Sequence, residues 1–355
     1  MSGILDYLKW RGDVPFDISA FNDVDMVILC EISYLPLEGI VSSELKDKIP
    51  LKEAARRCIP LPKLPLHPGD QELSEMLAES KRFGDLQLSG FVNIVDDEKQ
   101  FCALTFEFGW RKHAVVFKGT DNSLIGWKED LDLSYSDQVP SQKCAVDYIE
   151  KVYKAFHGTL MTAGHSKGGN LSVYGSAFCS EKVRRRISQI YNLDGPGFND
   201  KLIVKDNFRE IMDRTKTFVP QDSIVGLLLE HKEPYTIISS IGKNGLDQHS
   251  LFTWEVNASG IEKRESLGKA GNISNENIDE WIGRLTYEQK KEFVETLYEL
   301  ARDRKTIENI SARDMIKAYY KLDKDKKHAI GDVVGQLGST IKENIVEYFK
   351  EKANK

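Results

Sequence analysis

Gly164-His165-Ser166-Lys167-Gly168 is a GxSxG sequence, and a serine set between glycines at that spacing can be turned from a weak alcohol into a nucleophile. At ordinary glycine and serine frequencies the bare pattern arises by chance in roughly one chain in eight of this length, so its surroundings decide its meaning. Thr159-Leu160-Met161-Thr162-Ala163 reads as a strand before it, and Gly169-Asn170-Leu171-Ser172-Val173-Tyr174 lies in a helix expected from about 167 to 180. That is the strand–turn–helix setting of a nucleophile elbow. Gly164 and Gly168 are needed there because a Cβ at either position would strike the neighbouring strand or helix. The helix also aims unpaired N–H groups and its positive dipole end at the serine oxygen, which makes the Lys167 N–H one expected oxyanion donor.

An elbow serine needs a general base and an orienting acid, which follow it in the chain order Ser, Asp or Glu, His. His231, His249 and His328 are the histidines after Ser166. His328 falls in a helical tail and His231 ends an apolar helix, which leaves His249, in the loop Gly245-Leu246-Asp247-Gln248-His249, as the expected base. Two aspartates compete for the acid. Asp222 is the first choice, because it follows the strand 215–219 through Pro220-Gln221 at a strand's carboxyl end. Asp194, which ends the preceding strand in Asp194-Gly195-Pro196-Gly197, is the alternative; its bland role is to fix that turn by bonding its own backbone. His165 is expected to pack under the elbow rather than act as a base.

The elements that must position these residues alternate in the manner of a parallel sheet. A hairpin is expected from 88–95 and 100–108 around Asp96-Asp97-Glu98-Lys99, then a buried strand at Ala114-Val115-Val116-Phe117. Ser141 is a candidate cap for a helix whose apolar set Cys144, Tyr148, Ile149, Val152, Tyr153 and Phe156 repeats at helical spacing. Strands at 159–163, 187–193, 215–219 and 235–239 are separated by helices at 167–180, 200–213 and 223–230. Upstream lie a helix at 24–35, helical pieces near 43–57, the proline-rich connector 59–68 and a helix at 70–82. Beyond about residue 275 only helical signals remain, at about 286–303, 311–321 and 338–352. Trp281, Phe293, Leu297 and Leu300 there are expected to cap the core.

Composition narrows the function classes. The 355 residues are 41% hydrophobic and 29% charged, as in ordinary globular proteins, and a net charge of −6 offers no basic field for nucleic acid. Five scattered cysteines without a CxxC pair suit a reducing compartment. Asp6 and Lys9 interrupt any apolar leader, and no stretch reaches the roughly 18 apolar residues of a membrane span. A cytoplasmic protein is expected, with membrane contact at most peripheral.

Phe117-Lys118-Gly119-Thr120, Trp127-Lys128-Glu129-Asp130-Leu131 and the GxSxG sequence resemble, in order, the signature of class 3 (fungal-type) lipases. The runs Gly164–Leu171, Asn192–Phe198 and Val219–His231 resemble more closely a bacterial Mbeg-like α/β-hydrolase family. The resemblance implies an α/β-hydrolase fold with a mostly parallel central sheet over about 86–260. An N-terminal helical segment (1–85) and a C-terminal helical appendage (261–355) would flank it. It implies Thr120 as the second oxyanion donor, and leaves Trp127 and Asp130 to structural roles. Lys118 departs from the lipase arginine. Lys167 stands where lipases carry an apolar residue, and is expected to pair with a carboxylate rather than meet an anionic head group. The reaction expected is cleavage of a small-molecule or lipid acyl ester by Ser166, His249 and Asp222 or Asp194, with no metal or organic cofactor. Alternatives are a non-catalytic binding or scaffold protein, or a peptidase or amidase on the same fold.

Overall fold

Eight strands pair in strict chain order in the computed structural model, which describes residues 2–59, 69–121, 123–133 and 136–268 together with Tyr287, Glu288, Lys291, Glu295, Tyr298, Lys324 and Lys327. The strands are β1 (Ile49–Pro50), β2 (Gln87–Val95), β3 (Gln100–Glu107), β4 (Lys112–Phe117), β5 (Thr159–His165), β6 (Ile187–Leu193), β7 (Thr215–Pro220) and β8 (Tyr235–Ile238). β1 to β4 pair antiparallel, and β4 to β8 pair parallel. The helices are α1 (Ile4–Arg11), α2 (Asp23–Ile32), α3 (Leu51–Cys58), α4 (Asp70–Glu79), α5 (Leu124–Asp132), α6 (Pro140–Ala155) and α7 (Lys167–Phe178). Four short helical segments follow: α8 (Glu181–Arg184), α9 (Asp200–Ile203), α10 (Asp206–Arg209) and α11 (Gly245–His249). A mixed sheet flanked by helices, with a strand, sharp turn and helix at β5–α7, is the α/β-hydrolase fold.

Sequential parallel strands joined by right-handed crossovers put their connecting helices on one face of the sheet, which leaves the other face to be covered from elsewhere. The period-two alternation of β4 shows the result. Val115 and Phe117 pack with α6 and α7, through Ala145, Ile149, Val152 and Leu171. Ala114 and Val116 point the other way, into a cluster with Ile4, Tyr7, Val24, Ile28, Leu51 and Leu73 from the N-terminal helices.

A buried charge fastens those helices together. Arg82 Nε donates to Asp25 Oδ1 at 2.7 Å, and its other guanidinium nitrogens donate to the carbonyls of Val14, Ser19 and Ala20. Both charged side chains are fully buried, and Tyr7 Oη donates to the same carboxylate at 2.9 Å. Burial and the Asp25 charge push the Tyr7 phenol up to about 12.

Several expected elements change shape. Val139, rather than Ser141, caps α6, and Pro140 takes its first position, where its missing N–H costs nothing. The expected helix 200–213 is broken by Lys205, whose backbone is extended. The expected helix 223–230 shrinks to a 3₁₀ turn at Val225–Leu227, because Leu229 takes a φ of 66° and Glu230 pairs as an isolated bridge with Phe198. Tyr287, Glu288, Lys291, Glu295 and Tyr298 are helical, within the expected helix 286–303. Its remainder, including Phe293, Leu297 and Leu300, lies outside the described residues, as do Trp281, the segments 311–321 and 338–352, and the connector apart from Ile59. Among the described residues no helix is long and apolar enough to cross a membrane.

Replacing Arg82 by Ala strands a buried carboxylate and three carbonyls. Urea unfolding of Arg82→Ala is expected to show a loss of about 3–5 kcal/mol; a loss below about 1 kcal/mol would mean that the N-terminal helices do not depend on this ion pair.

Candidate active site

β5 ends at His165, α7 begins at Lys167, and Ser166 alone makes the turn between them. Its φ of 58° and ψ of −133° are strained for a residue with a Cβ, a cost of order 1–3 kcal/mol borne by the surrounding packing. The two flanking glycines show how tight that packing is. A Cβ on Gly164 would sit 2.0 Å from the Gly168 carbonyl oxygen, and one on Gly168 would sit 2.0 Å from the Phe117 carbonyl oxygen on β4. Ser166 is partly exposed, and its Oγ makes no hydrogen bond among the described residues.

His249 closes α11, a one-turn helix where a plain loop was expected. Its Nδ1 lies 2.6 Å from Asp194 Oδ2, so Nδ1–H donates to the carboxylate and Nε2 is left as the basic nitrogen. Its ring sits 4.4 Å, centroid to centroid, from that of His165, the residue before Ser166. Asp194 is wholly buried, and its Oδ1 accepts the Ser223 hydroxyl at 2.6 Å. The backbone at Asp194 has a φ of 52°, a second left-handed residue without the excuse of being glycine. The turn after it is not Asp194's work: Asn192 Oδ1 accepts the Gly195 N–H at 2.9 Å, and Asn170 Nδ2 donates to the Gly197 carbonyl at 2.8 Å.

Of the two candidate aspartates, the structure brings Asp194 to the His249 ring. It is Asp194 that bonds His249, and Asp222 instead clasps the preceding residue. The Asp222 N–H donates to Gln248 Oε1 at 2.9 Å, and Gln248 Nε2 donates back to Asp222 Oδ2 at 3.3 Å. Asp194 directly follows β6, which borders the serine strand β5, and the His249 ring lies against His165 at the end of β5, whereas the Asp222 carboxylate is engaged by Gln248.

Lys167 turns its side chain away from the turn. Its Nζ, 1% exposed, donates to Glu129 Oε2 at 3.0 Å and to the Gln100 carbonyl at 2.8 Å. Glu129 also accepts the N–H groups of Gln100 and Ser141, so both oxygens of the buried carboxylate are hydrogen-bonded. The Lys167 backbone N–H stays free at the first position of α7, and neither it nor the Thr120 N–H is engaged by another described residue. Thr120 follows the end of β4, and its Oγ1 donates to Asp130 Oδ2 at 2.6 Å.

Asp130, expected to serve the fold alone, thus lies at the site. Its Oδ1 is buried without a hydrogen-bond partner. Burial raises its carboxyl to about 6, against the opposing pull of Lys167, the Thr120 hydrogen bond and His249. Sequence reasoning also missed Tyr34, whose hydroxyl is 2.8 Å from His165 Nδ1, along with Glu129, Ser223 and Gln248. Asp130 and Glu129 stood in a quoted motif. Tyr34 had no local signal, because only the fold brings it 131 positions along the chain to His165.

With this geometry in view, the chain belongs to the Mbeg1-like family, which it matches over residues 77–299. Among curated proteins none matches it in sequence. In solved structures it is similar to M37 lipase, with 15% identity, a TM-score of 0.34, and coverage of 44% of this chain and 62% of that one. It is also similar to a triacylglycerol lipase from Penicillium expansum, with 12% identity, a TM-score of 0.31, and coverage of 52% and 77%.

A carboxyl that binds its proton more tightly folded than unfolded favours the native state at low pH, and that advantage is lost as pH rises through the folded value. The stability of the wild type relative to Asp130→Asn is therefore expected to fall between about pH 4 and about 6, by no more than about 3 kcal/mol, and to be flat above. Denaturation midpoints of the two proteins across this range test it; a difference independent of pH would show that Asp130 ionises as an ordinary carboxylate.

Proposed function

We propose that the protein is a serine hydrolase cleaving acyl esters of lipid or small-molecule type, with Ser166, His249 and Asp194 as its triad. The observation that carries this reading is the 2.6 Å bond from His249 to a wholly buried Asp194, set beside a strained serine elbow. Asp194 holds the imidazole with its proton on Nδ1, so that Nε2 is the base. Ser166 Oγ attacks the ester carbonyl while its proton passes to His249 Nε2; the bond between them closes on substrate binding, as catalytic hydrogen bonds commonly do. The oxyanion is received by the Lys167 and Thr120 N–H groups, each worth about 3 kcal/mol in the transition state. Asp130 keeps the Thr120 side chain fixed so that this strand end does not move. The imidazolium then protonates the departing alcohol, and water activated by the same ring releases the acid. No step needs a metal or an organic cofactor. The ester assignment follows the ordered resemblance to class 3 lipases.

A fluorophosphonate probe is expected to label the wild type and not Ser166→Ala. Labelling that persists in Ser166→Ala would overturn the nucleophile, and a folded wild type that is never labelled would favour a non-catalytic scaffold. The acid is read from the same enzyme with p-nitrophenyl esters. Asp194→Asn is expected to lower kcat by about 10⁴, and Asp222→Asn by tenfold or less, on the order of what loosening a positioning contact costs. The reverse ranking would return Asp222 to the triad.

A further inference from the structure

Tyr34 lies just past α2, before the residues that match the family, yet it reaches the centre of the site. Its Oη accepts the Gly119 N–H at 3.0 Å and sits 2.8 Å from His165 Nδ1. On the other side of the ring, His165 Nε2 is 2.8 Å from the backbone carbonyl of His249. The protons in this chain can be placed. A carbonyl only accepts, so His165 Nε2 carries a hydrogen, and the neutral ring then offers a bare Nδ1 to the Tyr34 hydroxyl. Burial and the nearby Glu31 charge hold the Tyr34 phenol well above its ordinary value, so it keeps the proton it donates.

Asp194 holds the His249 ring at Nδ1, at the end of a helix five residues long, and the His165 ring lies 4.4 Å from it, centroid to centroid. The bond from His165 Nε2 to the His249 carbonyl adds an anchor on the backbone that carries the ring. Tyr34 also grips Gly119, the neighbour of Thr120, so one phenol touches both the oxyanion strand end and the ring that anchors the base.

We propose, on the serine-hydrolase reading above, that Tyr34 and His165 are positioning residues, a hydrogen-bonded relay that holds the His249 backbone so that its Nε2 faces Ser166. Neither residue touches the reacting atoms; each acts through His249 or Gly119.

Two measurements test the relay. Long-range ¹⁵N–¹H spectra of histidine-labelled protein are expected to show His165 as the Nε2–H tautomer; a ring protonated on Nδ1 overturns the relay whether or not the enzyme is active. Saturation kinetics of Ser166 inactivation by a fluorophosphonate separate the limiting rate from probe affinity. His165→Leu is expected to lower the limiting rate about tenfold to a hundredfold, the scale of a misplaced catalytic group, with affinity within about twofold. His165→Gln, which keeps an N–H for the His249 carbonyl, is expected to recover most of it. Equal losses in both variants would overturn the relay while leaving the hydrolase reading intact. Wild type that is never labelled, but still shows the Nε2–H tautomer, would overturn the hydrolase reading and leave only the hydrogen-bonded chain. Tyr34→Phe gives a second, gentler variant. It is expected to slow inactivation about tenfold and to mix the His165 tautomers, and unchanged rate and tautomer would overturn the role of Tyr34.

Discussion

The close crossing of β4, β5 and α7 governs everything around Ser166. Carbonyl oxygens of Gly168 and Phe117 occupy the space that side chains at 164 and 168 would need, so strand and helix meet nearly backbone to backbone. That contact forces the turn between them into a single residue, and Ser166 takes the left-handed backbone that results. Because the helix starts at the next residue, its free N–H groups and dipole point where the serine oxygen sits. A looser crossing would lengthen the turn, relax the serine and carry the helix end away from it.

Topology supplies the second constraint. Sequential parallel strands place α6 and α7 on one face of the sheet, and the N-terminal helices cover the other. Those helices are held by Arg82 and Asp25 as well as by apolar packing, and they deliver Tyr34 to His165. Cover and site are therefore coupled: the segment that buries the exposed sheet face also supplies a hydrogen bond to the residue before the elbow serine.

Much of this was legible from residues close together in the chain. Strand 187–193 and the hairpin around Asp96 emerged within a residue of their expected ends, since alternation and turn chemistry are local signals. The elbow was readable for the same reason. The carboxylate that meets His249 was not, because Asp194 and Asp222 both follow strands and both lie between Ser166 and His249. What separates them is where the folded loops place them, which no local pattern carries: Asp194 meets the His249 ring and Asp222 meets Gln248. The segment 223–230 misled for a related reason: its apolar run suits a helix, but Ser223 and Gly226 are committed to the Asp194 carboxylate, where a Cβ on Gly226 would lie 2.0 Å from Oδ1.

The two strained residues belong to one arrangement. Ser166 and Asp194 each follow a strand, at the ends of the neighbours β5 and β6, and each turns left-handed there. Ser166 N–H donates to the Leu193 carbonyl at 3.0 Å, and Asp194 N–H donates to the Phe218 carbonyl at 2.9 Å, so the parallel ladder continues through both strained positions. The ladder fixes their backbones, and the turn bonds of Asn192 and Asn170 remove the remaining freedom. Each such backbone costs on the order of 1–3 kcal/mol and persists because the surrounding ladder and turn bonds over-determine it. The strain falls beside two histidines in contact: Asp194 bonds the His249 ring, and Ser166 follows His165, whose ring lies 4.4 Å from that of His249.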